Sequence, residues 1–159
     1  MLEVGKKFPT FSLEDAGGNK VTLKDLSGRW AVVYFYSKIY TSGCSLEARE
    51  FNGLLPDFER LGAKVAGVSP DSPDTLCKAV DKNSYSLILL SDAGHALLEA
   101  AGVWQKKKLY GKEHMGVVRT TAILDPHGTV RRLWSKVKPN GHAGEVLKAL
   151  GEAMAATKA

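Results

Sequence analysis

The chain has 159 residues, 44% of them hydrophobic and 25% charged, which suits one compact domain over residues 1–159 and is short for two. Its net charge of +5 is spread along the sequence, with Lys106-Lys107-Lys108 as the densest run, so a nucleic-acid groove, which needs clustered charge, is not expected. No segment is apolar for long enough to cross a bilayer, and two cysteines cannot form a disulfide scaffold, so neither a membrane protein nor a stapled secreted domain is expected.

The stretch Met1 to Lys7 has no apolar run behind its charges and no small-residue cleavage site, which predicts a cytoplasmic protein. In that reducing compartment a cysteine is reactive, redox-active or simply buried. The first predicted strand is Ala31-Val32-Val33-Tyr34-Phe35-Tyr36, a run of β-branched and aromatic residues suited to a strand buried on both faces. A helix is predicted from about Cys44, with Phe51, Leu54, Leu55 and Phe58 on one face, bent by Gly53 and Pro56 and capped by Gly62. Lys64 to Val68 reads as a strand, and Ser72-Pro73-Asp74 opens a helix that carries Cys77 and runs to about Lys82. A short strand at Leu87 to Leu90 and a helix at Leu97 to Ala101 come next. Gln105 to Gly116 reads as a polar loop, and Val117 to Leu124 and Thr129 to Trp134 as a hairpin around Asp125-Pro126-His127-Gly128. Ala143, Val146, Leu147 and Leu150 then line one face of a final helix. The alternation predicts an α/β fold, a central mixed β-sheet flanked by helices, and its order fits a thioredoxin-like sheet.

Cys44 follows a strand and opens a helix, where unpaired N–H groups and the helix dipole favour the thiolate. Glu47, one turn on, is placed to accept from a backbone donor of that helix start. By position alone, a functional thiol and a small buried hydrophobe are both open. His95, His114, His127 and His142 lack metal-ligand spacing and read mostly as solvent-facing loop residues, and neither a phosphate loop nor a dinucleotide fingerprint occurs, so no metal and no cofactor are expected.

Thr41-Ser42-Gly43-Cys44, preceded by Tyr34-Phe35-Tyr36 and followed by Glu47, resembles the active-site loop of peroxiredoxins, whose pattern is Pro-x-x-x-Thr-x-x-Cys. Within that family it is similar to the branch named for the bacterioferritin comigratory protein, the Q type. Gly5 to Asp15, Leu90-Ser91-Asp92, Tyr110-Gly111-Lys112 with Gly116, and Arg119-Thr120-Thr121-Ala122-Ile123-Leu124-Asp125 resemble further segments of the family, the last holding its arginine. The resemblance implies a peroxidase in which the Cys44 thiolate attacks hydrogen peroxide or an organic hydroperoxide. Arg119 would hold the thiolate and bind the peroxide, Thr41 would hydrogen-bond both, the N–H groups of Gly43 and Cys44 would stabilise developing charge, and Glu47 and Tyr36 would stand behind them.

Two positions depart from the family. Ser37 stands where the motif has its proline, removing a rigid shield from the thiolate, and Arg49 stands where many Q-type members carry a second cysteine. Cys77, 33 residues after Cys44, is then the candidate resolving cysteine, and the resemblance implies a Cys44–Cys77 disulfide reduced by thioredoxin or a similar thiol donor. The other readings are a one-cysteine peroxidase with an inert Cys77, or a redox sensor. The expected state is a monomer.

Overall fold

The computed structural model describes residues 1–158. Strands β1 (Ser12–Asp15) and β2 (Lys20–Thr22) lead into helix α1 (Leu23–Leu26), followed by β3 (Ala31–Phe35), α2 (Ser42–Gly53), α3 (Leu55–Arg60), β4 (Lys64–Ser69), α4 (Pro73–Asn83), β5 (Ile88–Ser91) and α5 (Ala96–Ala100). Then come β6 (Trp104–Leu109), β7 (Lys112–Val117), β8 (Thr120–Leu124), β9 (Val130–Ser135) and α6 (His142–Lys158). Seven strands form one mixed sheet in the order β2-β1-β5-β4-β3-β8-β9, while β6 and β7 pair with each other. Among the described residues no helix is long and apolar enough to cross a membrane.

Strand β3 runs parallel to β4 and antiparallel to β8, and all five of its residues are buried, as its composition predicts. Strand alternation sends its side chains to two cores. Val32 and Tyr34, with Tyr36 just beyond, meet Phe51 of α2, Leu76 of α4 and Val146 of α6, whereas Ala31, Val33 and Phe35 meet Phe8, Leu26 and Leu98. Phe51 stacks on Tyr34 with ring centroids 4.5 Å apart, so Phe51→Ala would cost about 3–5 kcal/mol and loosen the helix that carries Cys44.

The predicted bend after α2 is real. Leu54 leaves helical geometry at φ −94°, ψ 1°, and Pro56 sits in the first turn of α3, where a missing N–H costs nothing. Ser72 caps α4 by accepting from the Thr75 N–H at 3.2 Å, also as the sequence suggests. The turn between β8 and β9 is closed by Asp125 Oδ1, which accepts from the N–H groups of His127 and Thr129.

Three parts of the sequence reading need correction. The stretch from Gln105 to Gly116 is a β-hairpin, because Tyr110 and Gly111 both have positive φ (51° and 76°) and make the tight turn that matches strand twist. Its lysines hide the strand pattern. Val117 to Leu124 is two strands, with Val117 ending β7 and Thr120 starting β8, so that Arg119 sits in the gap. His142 is 4% exposed rather than a loop residue at the surface, its Nε2 lying 2.8 Å from Thr121 Oγ1, with burial pushing its pKa down. Strands β1 and β2 are short and half-exposed and carry no marked apolar pattern in the sequence.

Candidate active site

Cys44 lies in the first turn of α2, which begins at Ser42, with Thr41 as the N-cap residue. The Thr41 carbonyl accepts the first helical hydrogen bond, from the Ser45 N–H at 2.9 Å, while the N–H groups of Gly43 and Cys44 have no acceptor among the described hydrogen bonds. Such orphan donors are inherent to a helix start and carry partial positive charge, and Cys44 belongs to the same turn. The loop from Ser37 to Thr41 is pinned from both sides. Ser45 Oγ donates to the Ile39 carbonyl, and the Ile39 N–H donates to Asp71 Oδ2, each at 2.9 Å. Asp71 also accepts from Ser69 Oγ at the end of β4, so the cysteine loop is tied to the start of α4.

Arg119 reaches the same sulfur from the break between β7 and β8. Its Nη2 donates to Cys44 Sγ at 3.2 Å and its Nη1 to Glu47 Oε1 at 2.6 Å, so one planar guanidinium bridges the thiol and a buried carboxylate. The Arg119 backbone is fixed as well, since its carbonyl accepts from the Val137 N–H at 3.1 Å. Gly43 leaves room for this approach: a Cβ there would lie 3.4 Å from both Arg119 Nη2 and Pro139 Cγ.

Opposing effects set the charge state of Cys44. Burial pushes its pKa up, but hydrogen bonds from the Thr41 side chain and the Lys38 backbone, the Arg119 charge and a hydrogen bond from Ser37 bring it below its ordinary value. Thr41 has one proton to give, and here its hydroxyl donates to the Lys38 carbonyl at 2.9 Å, so support of the thiolate comes by rotation about one bond. Ser37 Oγ lies 3.7 Å from the sulfur, where the motif would place an apolar proline ring.

Glu47 is wholly buried and does not cap α2; its side chain faces inward, and among the described residues only one of its oxygens has a partner. Burial raises its pKa to about 7 even though Arg119 pulls it down. Tyr36 is buried just beyond β3, its ring 5.4 Å from that of Tyr34, and neither hydroxyl has a hydrogen-bond partner among the described residues. Burial pushes both phenols well above their ordinary values, so both stay protonated. Cys77 stands apart: it is exposed on α4, and the two thiols are free. No group of three or more His, Cys, Asp or Glu side chains that could hold a metal ion occurs among the described residues.

The chain that carries this arrangement is similar to known proteins over most of its length. The AhpC/TSA family matches residues 4–133. Peroxiredoxin Bcp of Bacillus subtilis is 40% identical over 94% of this chain and 95% of its own. The chain belongs to the AhpC/TSA family of peroxiredoxins. Its place within them is the bacterioferritin comigratory branch, because the protein of that name from Xanthomonas campestris, in a structure concerned with its alkyl peroxide reduction activity, superposes with a TM-score of 0.87 at 41% identity, covering 96% of this chain and 98% of its own. A PrxQ of Xylella fastidiosa gives a TM-score of 0.90 at 35% identity, covering 96% of this chain and 97% of its own. The fold is thioredoxin-like, and the chain is a peroxidase that takes a hydroperoxide and a thiol reductant.

Of the residues the sequence points to, Cys44, Gly43, Glu47 and Arg119 meet around one guanidinium, Thr41 stands at the cap of the same helix with its hydroxyl turned to Lys38, and Tyr36 lies in the core that also holds Cys44. Asp71 is a residue that only the structure reveals, because nothing in the local sequence ties it to a loop 32 residues earlier.

Proposed function

We propose that this peroxiredoxin reduces hydrogen peroxide and alkyl hydroperoxides through Cys44, with Cys77 as the resolving cysteine. The observation that carries the proposal is the Arg119 guanidinium 3.2 Å from Cys44 Sγ and braced on Glu47. The Cys44 thiolate attacks the terminal peroxide oxygen, the S–O bond forms as the O–O bond breaks, and the sulfur is oxidised by two electrons while the peroxide leaves as alkoxide or hydroxide. Arg119 and the N–H groups of Gly43 and Cys44 stabilise the charge that moves from sulfur to oxygen, and the leaving group takes up a proton. Thr41 hydrogen-bonds the thiolate and the bound peroxide.

The Cys44 sulfenic acid condenses with the Cys77 thiol, releasing water and forming the disulfide. A thioredoxin-type dithiol then reduces it by exchange. Because Cys44 is buried and Cys77 is exposed on another helix, the first turn of α2 must open for the two sulfurs to meet. The same separation favours the second reading, a one-cysteine peroxidase or redox sensor with an inert Cys77. The whole cycle is assigned to one domain over residues 1–159, acting as a cytoplasmic monomer without nucleic-acid, membrane or cofactor partners.

The test is steady-state hydroperoxide consumption with a thioredoxin system. Cys44→Ser should abolish it, and Cys77→Ser should cut thioredoxin-dependent turnover while leaving the first oxidation of Cys44 intact. Turnover by Cys44→Ser would overturn the proposal, and wild-type thioredoxin kinetics in Cys77→Ser would establish the one-cysteine reading instead.

A further inference from the structure

Two cavities share a wall beside residues of the site. One, of about 360 Å³, reaches Arg119; the other, of about 420 Å³, reaches Thr41, and both are lined by Ser37, Val117 and Lys107. The larger is of a size for an organic molecule and has an apolar wall of Pro70, Trp104 and Met115. Across the two, the charged lining residues are Lys38, Lys107, Arg119 and Lys136, with no carboxylate among them.

Lys107 differs from the other two lysines. Lys38 and Lys136 are exposed, whereas Lys107 is half-buried, and the ion pairs among the described residues all involve other side chains. It projects from β6, and its stem crosses Gly116 of the facing strand: a Cβ on Gly116 would lie 3.1 Å from Lys107 Cδ and 3.5 Å from Cε. The missing side chain at Gly116 therefore provides the path by which Lys107 lies over the hairpin toward the base where Val117 and Arg119 stand. Burial and the Arg119 charge lower its pKa, and the Cys44 thiolate raises it, which agrees with a place close to both charges.

An ammonium group that is half-buried beside another cation, without an acidic partner, is destabilised until an anion arrives. We propose that Lys107 is a specificity-determining residue that receives the carboxylate of organic hydroperoxides carrying one, while Trp104, Met115 and Pro70 cover the hydrocarbon and the peroxide lies at Cys44 and Arg119. The inference rests on the peroxidase reading above and names the substrate class of that same site.

The probes are cumene hydroperoxide, which is neutral, and its ring-carboxylated analogue, compared as the ratio of kcat/KM for the charged to the neutral substrate. Lys107→Gln should lower that ratio about tenfold, the effect of removing one partner of a partly desolvated ion pair. Lys107→Arg should restore most of it, and Gly116→Ala, which displaces the lysine stem, should lower it by a smaller factor. Raising ionic strength should lower the ratio more steeply in the wild type than in Lys107→Gln, where Lys38, Lys136 and Arg119 still attract the carboxylate. An unchanged ratio in Lys107→Gln, or equal losses for both substrates, would overturn the inference. Consumption of neither substrate by the wild type would overturn the peroxidase reading with it, whereas turnover of the neutral one without charge discrimination overturns this inference alone.

Discussion

Cys44 is 1% exposed, sits in the first turn of α2 and has Arg119 and Ser37 against its sulfur; Cys77 lies on the solvent side of α4 with no described partner for its thiol. Burial by itself would make Cys44 the less reactive of the two. The arrangement reverses this, because the hydrogen bonds and the arginine charge at Cys44 outweigh its desolvation. The contrast separates two requirements of the cycle. In the proposed cycle the attacking sulfur needs fixed donors that stabilise a thiolate and a transition state, whereas Cys77, as the proposed resolving residue, needs only to be reachable once α2 opens.

The most severe way to break the contrast is Cys44→Ser, for which we predict loss of hydroperoxide consumption to background, measured in a coupled thioredoxin assay. Arg119→Ala comes next. It removes the donor to the thiolate and the partner of Glu47, so we predict a loss of about 10²–10³-fold in kcat/KM and a rise in the Cys44 pKa, read from ultraviolet thiolate absorbance. Arg119→Lys keeps charge without the two-pronged donor and should recover much of the pKa but little of the rate. Unchanged titration in Arg119→Ala would remove the arginine from the electrostatic account.

How far the site could be read from sequence follows the spacing of its parts. Thr41, Gly43 and Cys44 fall within four residues, so one local pattern reveals them together. The Arg119–Glu47 pair spans 72 residues, and Glu47 at the start of a helix looks like a cap until the fold shows it buried and turned toward the arginine. The layered architecture was legible because β3 is apolar throughout and α2, α4 and α6 carry apolar faces. The β6–β7 hairpin was not, since Gln105 to Lys108 and Lys112 to His114 lack the apolar alternation that marks a half-buried strand, and only the Tyr110-Gly111 turn betrays it.

Glu47 offers a gentler way to sharpen the comparison, through pH. Its folded pKa is raised to about 7 from a reference of 4.5, so the folded chain binds that proton more tightly than the unfolded one. This contribution to stability is therefore fully present below about pH 4.5 and is lost as pH rises through about 7. Glu47→Gln has no such titration, and the difference in unfolding free energy between it and the wild type should shift by on the order of 2 kcal/mol in favour of the variant across that window. Parallel stability profiles for the two proteins would contradict the assignment.

The smallest expected effect is at Ser37. Its hydroxyl contact with Cys44 Sγ is long, at 3.7 Å, so Ser37→Ala should raise the thiolate pKa only slightly and change kcat/KM by less than about threefold. A loss as large as that of Arg119→Ala would mean that the serine has taken over a role assigned here to the guanidinium.

The division of labour between the two cysteines is tested most directly by adding one equivalent of hydroperoxide to the wild type and to Cys77→Ser, then mapping the products by peptide mass spectrometry with a sulfenic-acid trap. The account predicts a disulfide between the Cys44 and Cys77 peptides in the wild type, and trapped sulfenic acid on Cys44 in Cys77→Ser. Trapped oxidation at Cys77 while Cys44 stays a thiol would contradict it.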